Sequence, residues 1–159
     1  MGRFPADDRF GCWRHDLSPG PQRGATMPAM HYTADNCVAE LLQALPEFQE
    51  QWDDHLAAHV GEAPDLVADL AELAAHAHVL LVRGQHAALQ QVLALAEQLL
   101  RDGDPQVQQA VCSGFLESLA DPLKPGEPGL AQLLAALGPA SRAYLRHWQG
   151  FSARVLPGL

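Results

Sequence analysis

From Thr33 onward, apolar positions recur every three or four residues, the spacing of one helix face, and helix stop and start residues separate the runs. Thr33 or Asp35 is placed to cap a short helix running to Ala44, and Pro46 opens the next at a tolerated first-turn position. At roughly 100° per residue, Leu45, Phe48, Trp52, Leu56 and His59 share one stripe, with Glu47, Glu50, Asp53 and Asp54 off it. Gly61 ends that run and Pro64 starts a third. Its stripe is Leu66, Leu70, Leu73, Ala77, Leu80 and Leu81, and Gly84 closes it. A fourth helix from Gln85 carries Leu89, Val92, Leu93, Ala96 and Leu100 and stops at Gly103.

Asp104-Pro105 is the strongest start signal, a capping carboxylate followed by proline at the first helical position. The helix behind it places Val107, Val111, Phe115 and Leu119 at i+4 spacing, beside a strip of small residues, Ala110, Gly114 and Ser118, that admits a close neighbour. Asp121 to Pro128 reads as a loop, and two last helices cover 129–137 and 139–152. The pattern predicts an all-α, single-domain bundle of seven helices, with a HEAT-like stack of antiparallel pairs as its variant form. The predicted organisation is an N-terminal arm over 1–32, a helical domain over 33–152 and a C-terminal tail over 153–159. In the arm, glycine and proline break any helical period, Phe4, Phe10 and Trp13 are candidates to dock on the domain, and Met27 or Met30 is an alternative start.

Composition supports the helical reading. Of 159 residues, 26 are Ala and 25 Leu, whereas Ile is absent, so a sheet would lack the branched residues it packs best. No apolar run reaches the length of a membrane span. Nineteen acidic against ten basic residues give a formal charge of −9, which disfavours direct contact with nucleic acid or an anionic membrane. Three widely spaced cysteines (Cys12, Cys37 and Cys112) without a CxxC, and first residues without an apolar stretch, predict a reducing, cytoplasmic setting.

The charge is unevenly placed. Between Arg23 and Arg83 there is no Lys or Arg, yet the segment holds ten acidic residues; from Arg83 onward six basic residues meet six acidic ones. Concentrated charge of one sign steers oppositely charged partners. Glu47, Glu50, Asp53, Asp54, Glu62, Asp65, Asp69 and Glu72 are therefore the candidate partner-binding residues, and the expected partner is a basic protein.

Catalytic signals are weaker. His55 and His59 share a helix face, as two ligands of one ion must, but no third ligand or intervening Glu completes a zinc motif, and His59 falls on the apolar stripe. Glu72 and His76 are spaced as a base and its orienter, although an i,i+4 pair on a solvated face is the simpler expectation. His76 and His78 lie on different faces. Cys112 has no local activating group and reads as an inert buried thiol. No metal, cofactor or catalytic residue is predicted. A metal-dependent hydrolase using His55, His59 and nearby acids is the enzymatic alternative, and a structural or adaptor bundle the third.

Leu45-Pro46-Glu47 and the segments Asp104-Pro105-Gln106-Val107-Gln108-Gln109-Ala110-Val111 and Gly114-Phe115-Leu116-Glu117-Ser118-Leu119 resemble a family of small all-helical bacterial proteins of uncharacterised function. Some of its members are similar to immunity proteins of toxin–immunity pairs. The resemblance covers roughly residues 36–152 and rests on cap and core residues, so it implies a fold and carries over no catalytic residue. Glu117, on the polar side of its helix with Gln106, Gln109 and Ser113, is expected to be structural or interfacial. The functional expectation is a non-enzymatic binding module that neutralises a basic partner, such as a toxin domain, by covering its site.

Overall fold

A computed structural model describes residues 31–159; the predicted arm, with Cys12, Phe4, Phe10, Trp13 and both alternative start methionines, lies outside the described residues. The described chain is an all-α bundle of seven helices. These are α1 (Cys37–Ala44), α2 (a 3-10 turn Pro46–Phe48 continued by Gln49–Ala58), α3 (Leu66–Val82), α4 (His86–Asp102), α5, α6 (Pro128–Ala136) and α7 (Pro139–Trp148). Helix α5 is continuous through three segments, Pro105–Ala110, a π-helical turn Val111–Leu116, and Glu117–Ala120. Among the described residues the only strand-like pairing is a single bridge, Tyr32 with Gly103, where Asp104 N–H donates to the Tyr32 carbonyl at 2.8 Å.

The Asp104-Pro105 signal acts as its chemistry requires, whereas Pro64 stands ahead of the third helix, which begins at Leu66 with Asp65 as its cap. Asp65 accepts from Val67 N–H at 3.0 Å and Asp104 from Val107 N–H at 2.8 Å, each satisfying an otherwise orphaned amide in a first helical turn. At α1 the expected cap does not form. The helix begins at Cys37, and Asn36 Oδ1 instead accepts from Thr33 N–H at 2.8 Å, closing a turn ahead of the helix.

Helix α3 is the hub, touching α2, α4, α5 and α6. Its stripe Leu70, Leu73, Ala77, Leu80 and Leu81 is buried, as is the α5 row Val107, Val111, Phe115 and Leu119. Burying each such Leu or Phe stabilises the fold by roughly 1.5–3 kcal/mol relative to leaving it exposed. The small-residue strip has the expected use at its centre. A Cβ on Gly114 would lie 2.4 Å from the carbonyl oxygen of Val67, so the first turn of α3 rests on the backbone of α5 where α5 widens into its π turn.

The stripe of α2 is corrected by the structure. Leu45, Phe48 and Trp52 are buried, but Leu56 is 50% exposed and His59 is on the surface. The side chain that enters the α2–α3 seam is His55. The helix is rotated toward it because α3 presents two carboxylates at that height, which an imidazole can hydrogen-bond and a leucine cannot.

Past α7, whose regular turns end at Trp148 rather than 152, the chain folds back. Leu156 is buried, its N–H donates to Gln149 Oε1 at 3.1 Å, and Arg154 forks onto Asp121 through Nε at 2.9 Å and a terminal nitrogen at 2.6 Å. Among the described residues no helix is long and apolar enough to cross a membrane.

Candidate functional site

The acidic residues singled out by sequence divide into an outer and an inner set. Glu47, Glu50, Asp53 and Asp54 on α2, and Glu62 and Asp65 in the connection to α3, are exposed. Asp53 accepts from Gln49 Nε2 at 2.8 Å, a solvent-facing i,i+4 bond, and Asp65 is the α3 cap. Asp69 and Glu72 turn toward α2. Asp69 Oδ1 stands 3.0 Å from His55 Nε2, and Glu72 Oε2 3.8 Å from His55 Nδ1. Both imidazole nitrogens therefore face carboxylates, with the His55 side chain only 7% exposed.

The α3 polar side is thus not the solvated face expected from spacing, and Glu72 and His76 do not pair directly. Gln51 of α2 inserts between them. Its amide nitrogen donates to Glu72 Oε1 at 2.5 Å and to the Glu72 carbonyl at 3.3 Å, while its Oε1 faces His76 Nδ1 at 3.2 Å. Because that oxygen only accepts, His76 Nδ1 carries the proton, and the lone pair of the neutral ring is left on Nε2. Among the described residues Nε2 has no hydrogen-bond partner. Gln51 carried no catalytic or charge pattern in the sequence; its i+25 partner became visible only once α2 lay on α3.

Trp52, His55 and His59 form an aromatic ladder along α2, with ring centroids 5.2 Å apart for Trp52–His55 and 4.4 Å for His55–His59. The His59 ring is turned back on its own helix, its Nδ1–H donating to the His55 carbonyl at 2.8 Å. His55 and His59 consequently stack and do not converge on one point. Among the described residues no three His, Cys, Asp or Glu side chains are grouped so that they could hold a metal ion. Beside the ladder is a cavity of about 450 Å³, walled by Leu56, Pro64 and Ala68 and edged by Glu62, Asp65 and Asp69.

On the other side of α2 a groove of about 590 Å³ runs between that helix and the end of α3. Glu47, Glu50 and Asp54 line one side, Gln51 and His76 also line it, and Val79, Leu80 and Arg83 come from α3. His76 is buried and packs on the Phe48 ring at 5.2 Å. Burial lowers its pKa, and the nearby Glu47 charge opposes this without cancelling it. A proton then binds the unfolded chain more readily than the folded one below the ordinary imidazole value of about 6.5. Stability is expected to decline as pH falls from that value toward the lower folded value, and the contribution levels off beneath it. Urea midpoints measured against pH should show this slope in the parent chain and a shallower one in His76→Gln. Equal slopes would remove His76 as its source.

Both described cysteines are buried, with the Cys37 thiol pushed up to about 11 and Cys112 pushed higher still, chiefly by burial. Neither is a nucleophile in this setting. Glu117 is structural: it accepts from Tyr144 O–H, and burial together with that bond raises the Tyr144 pKa.

The fold and these surfaces define a helical domain whose acidic residues are concentrated in one half. The chain belongs to the family described as Domain of unknown function (DUF7674), whose model matches residues 38–152. No curated protein and no solved structure matches it.

Proposed function

We propose that this protein is a non-enzymatic binding module that captures a basic protein partner and neutralises it by covering its site, as an immunity protein does to a toxin domain. One observation carries the reading. The exposed carboxylates of Glu47, Glu50, Asp53, Asp54, Glu62 and Asp65 form the surface of α2 and the turn after it, in a stretch where no Lys or Arg stands between Arg23 and Arg83. Unneutralised charge of this kind accelerates encounter with a cationic surface, while exposed Leu56 and Val60 on the same segment supply apolar contact for residence. Asp69 and Glu72 lie at the inner edge and are engaged with His55, so they support the helix and contribute field more than contact. The hydrolase reading has less behind it, since both His55 nitrogens face carboxylates and the His59 ring stacks on that of His55 instead of converging with it on one point.

Asp53→Lys with Asp54→Lys is expected to slow association with a partner recovered by pull-down at least about tenfold, leaving the helical signal intact. The loss should shrink at high salt, since exposed charges are screened over about 8 Å at physiological ionic strength. Charge reversal at Asp102 and Glu127, in the balanced half, is the control. Equal losses from both pairs would reduce the acidic half to a solubility feature, and an unchanged rate in the first pair would refute the proposal.

A further inference from the structure

We propose that the groove between α2 and the end of α3 is a receptor for an arginine side chain of the basic partner. This rests on the capture reading above and specifies which chemistry the acidic half selects. Three carboxylates, those of Glu47, Glu50 and Asp54, line the groove with a single guanidinium, that of Arg83, so negative charge is in excess. A cluster of acids alone would select nothing beyond a cation.

The selective element is His76. It lines the same groove, only 8% of it is exposed, and the fold uses just one of its two nitrogens. Gln51 holds the ring with the proton on Nδ1, because the Gln51 amide nitrogen is committed to Glu72 and only its oxygen is left for the imidazole. Nε2 is thereby an acceptor whose donor is missing among the described residues, a state that buried polar groups rarely keep. That nitrogen is closed off from solvent as the groove stands, so a donor entering the groove supplies it by parting the side chains that cover it.

Among cationic side chains the guanidinium fits this set of acceptors. It is planar, carries five N–H donors in a fixed fork, and is more weakly hydrated than an ammonium, so it can serve carboxylates at the rim and an imidazole lone pair below them at lower desolvation cost. Its stem has apolar wall to lie against in Val79 and Leu80. A lysine ammonium, compact and strongly hydrated, is satisfied at the rim and gains little by going deeper.

The test uses the full chain labelled with 15N, titrated with hexa-arginine and hexa-lysine peptides by calorimetry and by imidazole NMR. Hexa-arginine should bind at least about tenfold more tightly, a difference of about 1.4 kcal/mol, and should move the unprotonated His76 Nε2 resonance upfield. Hexa-lysine should leave that resonance in place. Glu50→Gln with Asp54→Asn, both surface changes, should weaken binding of both peptides, whereas His76→Phe, which removes the imidazole acceptor, should remove most of the preference for arginine. Equal affinity for the two peptides with His76 unmoved overturns the arginine receptor while leaving the capture reading standing. A preference for arginine without movement of His76 overturns the assignment to this groove. Binding of neither peptide overturns both readings.

Discussion

Gly114→Ala is expected to lower the unfolding free energy by about 2–3 kcal/mol, as overpacking against an immobile neighbour does, and the sign is the informative part. An alanine in place of a helical glycine ordinarily stabilises by up to about 1 kcal/mol, because glycine loses more backbone freedom on folding. Here the added Cβ would stand 2.4 Å from the Val67 carbonyl oxygen and 3.2 Å from its Cα, and neither is the end of a flexible side chain. Relief requires α3 and α5 to separate at the point where the bundle's central helix is seated. Gly129→Ala on α6 is the matched control. Its Cβ would meet the nearest atom, Leu81 Cδ2, at 3.5 Å, an ordinary contact, so that variant should be neutral or slightly stabilised. Urea denaturation of the two variants decides the matter. Destabilisation of both alike would make the effect a general loss of glycine and would remove the close approach as its cause.

The larger effect is expected at Glu97. This α4 carboxylate is 7% exposed and receives three hydrogen bonds from the start of α7: Ala140 N–H at 2.7 Å, Ser141 N–H at 3.0 Å and Ser141 Oγ–H at 2.8 Å. Helix α7 needs this help because its N-cap residue is Gly138, which has no side chain, and Pro139 occupies the first helical position. Glu97 supplies from another helix what a capping serine or aspartate would supply locally, and its charge is favourable at a helix N-terminus. Glu97→Ala leaves two buried amides without acceptors, and a loss of about 3–4 kcal/mol is expected from charge-assisted bonds and desolvation together. Gly138 is also bound into this arrangement, since a Cβ there would lie 2.4 Å from the Glu97 carboxyl carbon. Once Glu97 is removed that space opens, and the extended backbone of Gly138, with φ −73° and ψ 170°, suits a capping serine. Glu97→Ala with Gly138→Ser should therefore recover about 1 kcal/mol of the loss, whereas Gly138→Ser alone should destabilise. Thermal and urea melts of the three chains test it, and additive losses in the double variant would count against the capping role.

Helix existence, order and most buried faces were legible without coordinates, because an apolar residue every third or fourth position states which side of a helix must leave water. Asp104 was legible for the same local reason, as a capping oxygen three residues from the amide it satisfies, while the Asp65 cap was masked by Pro64, which reads as the start of that helix. The cavity beside the ladder and the groove beyond it were not. The cavity is made by α2, the connection that follows it and the start of α3, the groove by α2 and the end of α3, and sequence spacing carries no record of how those pieces turn toward one another.

The clearest case is α2. Leu56 and His55 are neighbours on adjacent stripes, and periodicity favours burying the leucine. The helix instead faces α3 with His55, because Asp69 is there to pair with Nε2 and the Glu72 carboxylate stands beside Nδ1, and leaves Leu56 half in water. Gln51 was inconspicuous for the same reason, its partners being 21 and 25 residues away. Glu97 was hidden still further, 43 residues before the amide it caps, although a helix opening on Gly138-Pro139 with no capping side chain of its own signalled that an acceptor had to come from elsewhere. Local pattern was enough to settle a seven-helix bundle, its core stripes outside α2 and the partition of charge, since these follow from neighbours three or four positions apart and from plain counting. The rotation of α2, the tautomer of His76, the acceptor left on its Nε2 and the capping of α7 were decided by packing, because each depends on which polar group a distant helix brings within hydrogen-bond reach.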